Sequence, residues 1–344
     1  MRLIARLLLV CLPLLSPLAH AETVASLYQV REPVLSQQPE ERDQALNRAL
    51  ETLVIRLTGD TKALNNPALA EVRKNPQQLI SQFGYEGQSL QVDFDPVTTD
   101  RTFRQAGIGL WSANRPAILT WWLNQAAEGA SLVGDAQTAA APLRDAAQHR
   151  GLPLRLPLAD LSEQLAATPE NLTAADPAAL RPASERYGAD ALLAVLASEA
   201  GGKWKATWHL WIGDSREQGT LEAADPAALA DAVMLAVSQR LAPRFVVAPG
   251  VGQEQVLEVK GADLDRYAEL SRALEPFGAR LYQVEGNVLR FHVSASVDQL
   301  RAQLALSGLT ESPAEQAPVD AAQPAAPGAA PQVVPRQNAL RFQW

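Results

Sequence analysis

"GIGLWSANRPAILTWWL", residues 107–123, carries three of the chain's seven tryptophans, and its two halves follow different rules. Asn114, Arg115 and Pro116 interrupt the apolar run, so only 117–123 is continuous, far short of the roughly 18 residues of a membrane span. Within that run Ala117, Leu119, Trp121 and Leu123 fall on one face and Ile118, Thr120 and Trp122 on the other. A strand apolar on both faces belongs inside a sheet covered on both sides. Residues 107–116 are then the crossing between two folded units, and Trp111, Asn114 and Arg115 are its candidate binding residues. Arg115 beside aromatic rings suits an acidic group or a glycan face, held by stacking and hydrogen bonds. Equally, it suits a carboxylate at the junction of the two units.

Beyond residue 123 the chain is alanine-rich and alternates helix and strand signals. A helix over 136–149 stops before Gly151, LPLRLP (152–157) reads as a strand, helices follow in LADLSEQLAAT and PAALRPASERYG, and ADALLAVLA (189–197) is a strand. Strands separated by helices predict a mainly parallel, covered sheet. KWKATWHLWIG (203–213) then alternates, with Trp204, Ala206, Trp208, Leu210 and Ile212 on one face and Lys203, Lys205, Thr207 and His209 on the other. That pattern predicts a half-solvated antiparallel strand turning through GDSRE into QGTLEA (218–223). A helix over 226–241, stopped by Pro243, closes the unit.

Upstream, TVASLYQV (23–30) reads as a strand. PEERDQALNRALETLVIRLTG (39–59) places Ala45, Leu46, Ala49, Leu50, Leu53, Val54 and Leu57 at helical spacing, with Gly59 as the stop. Short helical pieces are predicted around 67–83, a strand over 88–94 and a helical turn over 97–106. Asp95 ahead of Pro96 suits a helix cap, whereas Asp93, Asp95 and Asp100 lack the ligand number and glycine of a calcium loop.

Residues 249–310 read strand, helix, strand, strand, helix, one strand short of a ferredoxin-like unit. Prolines at 313, 318, 324, 327, 331 and 335 make 311–335 a semi-extended linker. In 336–344, Leu340, Phe342 and Trp344 share one strand face and need a sheet edge, either the chain's own or a partner's.

The first residues, two arginines, an apolar run and Ala19-His20-Ala21, have the form of a secretory leader cleaved after Ala21. Val10 before Cys11 does not fit the small residue wanted ahead of a lipid-modified cysteine. Cleavage would remove the single cysteine with the leader, so disulfides and thiol chemistry are not expected. It would also take away Arg2 and Arg6, moving the net charge from −8 to about −10. With no basic block, nucleic acid is not an expected partner, and no transmembrane segment follows the leader.

These readings divide the chain into a leader (1–21), an N-terminal α+β unit (22–113), a middle α/β sheet unit (114–248), a βαββα unit (249–310), the linker (311–335) and a terminal strand (336–344). The fold class is mixed α+β and α/β.

"DFDPVTTDRTFRQAGIGLWSANRPAILTWW" (93–122), "HRGLPLRLPLADL" (149–161) and "ASERYGADALLAVLA" (183–197) resemble, in this order, a family of exported bacterial proteins known as domain-of-unknown-function family 2066. The resemblance covers most of 22–310 and implies a periplasmic protein with no established activity. Residues 117–245 more distantly look like the N-terminal α/β domain of the TolB-like envelope proteins, where a "YGAD" turn also leads into a central strand. That resemblance implies assembly and partner binding.

No GxSxG elbow, SxxK set, phosphate loop or dinucleotide turn is present. His149 at a helix end, and His209 and His292 on polar strand faces, read as structural. No cofactor or metal is expected. The expected role is a non-enzymatic envelope interaction or assembly factor, its partner an envelope protein or cell-wall component. The competing reading is a periplasmic enzyme or small-ligand or glycan binder with its site at the junction of the first two units.

Overall fold

The computed structural model describes residues 22–126, 129–247, 254–312 and 339–344. The predicted leader and nearly all of the predicted linker lie outside the described residues. The chain is a mixed α+β protein built on sheets of three, six and five strands.

The first unit comprises β1 (Glu22–Thr23), β2 (Gln29–Pro33), α1 (Pro39–Thr58), α2 (Ala70–Lys74), β3 (Ile80–Glu86), β4 (Ser89–Phe94) and α3 (Pro96–Gln105), and its sheet is formed by β2, β3 and β4. Its order is β2-β4-β3, all antiparallel. Helix α1 starts with Pro39 in its first turn and Glu40 and Glu41 behind it. It stops at Gly59, whose φ of 65 frees its N–H to donate to Ile55 O at 2.7 Å. The seven predicted stripe residues of α1 are buried against Leu90, Val92 and Phe94 of β4. The predicted strand over 23–30 is instead interrupted by a turn, and the predicted helical stretch ends at Leu79, with β3 following. β3 is an exposed edge strand, so its sequence carries no apolar alternation to read.

The middle sheet is formed by β6 (Ile118–Ala126), β7 (Gly129–Leu132), β8 (Leu154–Arg155), β9 (Ala191–Ala200), β10 (Lys203–Ile212) and β11 (Ser215–Ala223); a short β5 (Asn114–Arg115) precedes it and pairs with β1. Its helices are α4 (Ala141–Arg150), α5 (Leu161–Ala166), α6 (Pro169–Leu172), α7 (Arg181–Ser184) and α8 (Pro226–Phe245). β6 lies parallel to β8 and β9 but antiparallel to β7, and β9, β10 and β11 run antiparallel. The sheet is therefore mixed, not mainly parallel, because hairpins extend it at both edges.

Ile118 and Trp122 join the core under α4 and α8, while Leu119, Trp121 and Leu123 join a second core with Leu172, Leu180 and Trp211. The two-faced reading of 117–123 therefore holds. His209, placed by periodicity on the wet face, is buried, as is Trp211 after it, because the segment carrying α6 and α7 covers that end of β10. Helix α8 runs through Pro243 to Phe245, where stacking on Trp111 secures its last turn.

The third sheet is built from β12 (Glu254–Lys260), α9 (Leu264–Leu274), β13 (Arg280–Glu285), β14 (Val288–Ser294), α10 (Val297–Leu306), β15 (Thr310–Glu311) and β16 (Leu340–Gln343), in the order β13-β14-β12-β16-β15. A crossover from β14 through α10 returns the chain parallel to β14, hence antiparallel to β12, and β15 has that direction. The terminal β16 is inserted between them, parallel to β12 and antiparallel to β15. The tail thus completes its own chain's sheet. Phe342 is 2% exposed in the core with Leu257, Val259 and Phe277, and Leu340 and Trp344 pack against that core.

Candidate functional site

The crossing at 107–116 is filled. Arg115 is fully buried, and its guanidinium makes five hydrogen bonds, all to backbone carbonyls. Nε donates to Ser112 O at 3.0 Å, Nη1 to Arg150 O at 3.3 Å and Gly151 O at 3.0 Å, and Nη2 to Arg56 O at 2.6 Å and Trp111 O at 3.2 Å. Arg56 lies in the last turn of α1, and Arg150 and Gly151 end α4, so one cation serves the negative ends of two helices. Burial first, and the Arg56 charge second, pull this guanidinium down to about 9, which leaves it charged at neutral pH. Its partners are backbone carbonyls of two helix ends and of the crossing itself, not the carboxylate or partner group that the sequence suggested, and it is closed to any external ligand.

Arg56 repeats the arrangement. Its Nη1 donates to the carbonyls of Ser26, Leu27 and Gln29 and its Nε to His149 O. Beside it His149 contacts Thr52 Oγ1 through Nε2 at 3.0 Å and Asp231 through Nδ1 at 3.1 Å, while Thr52 donates to buried Glu32 at 2.7 Å and Arg150 also reaches Asp231. The contact with the Asp231 carboxylate, then the approach of Glu32 at 3.7 Å, raises the His149 pKa. This network ties α1 and β2 to α4 and α8.

One step away, between α3 and α9, lies a cleft of about 1230 Å³. Trp111 and Asn114 line it; Arg115 does not. Trp111 is wedged between Phe245, stacked at 5.9 Å with a 7° interplanar angle, and the Arg115 guanidinium, 4.2 Å from its ring centroid. Its Nε1–H finds no acceptor among the described residues. Helix α3 is positioned by Asp95, which accepts from Thr98 N at 2.8 Å as the predicted cap. It presents Asp100, Arg101 and Arg104 to the cleft. Tyr28 donates to Asp100 Oδ1 at 2.5 Å, and burial pushes the Asp100 carboxyl up. From the other side α9 and the turn after it contribute Asp265, Glu269, Arg272 and Glu275.

A second exposed feature lies on the middle unit. Leu161 and Leu165, one turn apart on α5, are 72% and 70% exposed, and Leu158 just before the Asp160 cap is 65% exposed. The helix is held from its other side. Glu163, fully buried, accepts from Tyr187 at 2.5 Å and pairs with Arg186, which also reaches Asp160.

Sequence reasoning singled out Trp111 and Asn114, which do meet the cleft. It passed over Arg101, Arg104, Asp265 and Glu269, whose spacing matches any solvated helix face. Of the leucines at 158, 161 and 165 the sequence shows only that they belong to the helix predicted in LADLSEQLAAT. Among the described residues no group of three or more His, Cys, Asp or Glu is placed to hold a metal ion, and no described helix is long and apolar enough to cross a membrane.

A family model described as a domain of unknown function, DUF8605, matches residues 21–112. The chain is thus similar to an uncharacterised domain over the stretch that carries the first sheet and the α3 wall of the cleft. No curated protein and no solved structure matches it.

Proposed function

We propose that this chain is an exported, non-enzymatic interaction or assembly factor of the cell envelope, working in the periplasm after loss of residues 1–21, with Leu161 and Leu165 of α5 in its partner contact. The observation that carries the proposal is the exposure of these two leucines and Leu158 within eight residues of chain. A helix held down by a buried Glu163 yet turning leucines to solvent has the character of a protein-binding surface. The charged, apolar and small-residue order of the leader supports export. The resemblance to family 2066 supports a periplasmic location, and that of 117–245 to the TolB-like α/β domain supports envelope assembly, with an envelope protein or cell-wall component as partner. A ligand site centred on Arg115 at the junction of the first two units receives no support, since every donor of that guanidinium is taken.

Crosslinked pull-down from the cell envelope tests this, with Leu161→Asp/Leu165→Asp beside the unmodified chain. Exposed substitutions of this kind change stability by about 0.5 kcal/mol or less. A discrete envelope partner captured by the unmodified chain and lost with the double variant is expected. Capture that is absent, or that is indifferent to both leucines, defeats the proposal.

A further inference from the structure

From the cleft between α3 and α9 we infer a second binding site, separate from the leucine face: a slot for a mixed-charge polypeptide segment, with its carboxylates toward α3 and its ammonium or guanidinium groups toward α9. The two walls carry opposite, unspent charge. Arg101 and Arg104 are exposed on α3 and, among the described residues, make no ion pair or side-chain hydrogen bond, although Arg101 acts electrostatically on Asp95 and Arg104 on Asp100. The one carboxylate on their own wall, Asp100, is engaged by Tyr28 at 2.5 Å. Across the cleft, Asp265, Glu269 and Glu275 likewise make no ion pair among the described residues, while the Nε of their neighbour Arg272 is turned to Ala268 O.

Elsewhere on this protein's surface facing charges pair readily, as Arg31 does with Glu86 at 2.7 Å and Arg301 with Glu311 at 2.7 Å. Around this opening they stand apart, and what lies between can satisfy both. The volume of about 1230 Å³ exceeds the roughly 300–1,000 Å³ of small-molecule pockets, which favours a length of polypeptide. Residues 97, 101 and 104 on α3 and 265, 269 and 272 on α9 recur at three- and four-residue intervals, so each helix offers a row of side chains along the slot. Charge complementarity of this kind selects a partner and its orientation more than it adds affinity.

The test uses the mature full-length chain and three labelled, end-blocked peptides of equal length, alternating Glu/Lys, all-Glu and all-Lys, followed by fluorescence anisotropy. The alternating peptide is expected to bind best. Arg101→Glu/Arg104→Glu, which makes both walls acidic, should weaken it roughly three- to tenfold and turn preference to the all-Lys peptide. Asp265→Lys/Glu269→Lys should turn preference to the all-Glu peptide. The inference is overturned if no peptide binds, if the unmodified chain prefers a single-sign peptide, or if neither reversal changes the order. It is also overturned if the walls pair with each other. In that case reversing one wall would enlarge the radius of gyration without any peptide, and reversing both would restore it.

Discussion

Arg115 lies over the ring of Trp111, its guanidinium carbon 4.2 Å from the centroid, and the far side of that ring stacks on Phe245 at the end of α8. This sandwich joins the crossing segment to α8, while three of the five carbonyl bonds of Arg115 join it to the ends of α1 and α4. Arg115→Met fills similar space but leaves these buried carbonyls without donors, and each orphaned group costs about 1–3 kcal/mol. A loss of at least about 3 kcal/mol in urea unfolding is expected. Arg115→Lys should recover only part of it, because a point charge cannot reproduce the planar fork.

Gly59 and Gly87 both need left-handed backbone, with φ of 65 and 59, yet their surroundings differ. A Cβ on Gly59 would come 2.1 Å from Ala242 Cβ, whereas one on Gly87 meets nothing within 4 Å. Gly87→Ala should therefore cost only the conformational strain, about 1–2 kcal/mol. Gly59→Ala should cost clearly more, and Ala242→Gly in the same chain should return part of the difference. A double-mutant cycle in denaturant measures that coupling.

The His149 network predicts a pH dependence with a definite sign. Because Asp231 and Glu32 raise the folded pKa of His149 above 6.5, its stabilising contribution is fully present below 6.5 and is lost as pH rises through the folded value. Unfolding midpoints should fall with pH over that window in the unmodified chain, and His149→Gln should flatten the slope. An unchanged slope in the variant would assign the effect elsewhere.

Loss of the terminal strand should act on the third sheet alone. Phe342 is a core residue there, so Phe342→Ala is expected to cost about 3–5 kcal/mol. Ending the chain at Pro335 should expose the amides of β12 and β14 to hydrogen exchange while α1 and β6 stay protected. Equal deprotection of all three sheets would show that they unfold as one unit.

Much of this architecture is legible in local pattern. The α1 stripe, the Asp95 and Asp160 caps, the αL stops at Gly59 and Gly151, and the two-faced strand at 117–123 are each written within a few residues. The departures come from packing. Pro243 marks a helix end, but α8 continues because Phe245 gains a stacking partner from another part of the chain. His209 alternates with apolar residues as a solvent-facing residue does, yet a segment not adjacent to it in sequence covers it. The cleft was legible only through Trp111 and Asn114.

By itself the sequence determined where the chain is apolar, where it turns, and that Trp111, Asn114 and Arg115 occupy a crossing. Only the tertiary structure decided that Arg115 closes that crossing while Arg101 and Arg104 stand opposite carboxylates more than 150 residues away. The physical reason is that periodicity records which face a residue turns. Whether a charge is spent on a carbonyl or left for a partner depends on which distant groups come within hydrogen-bond reach.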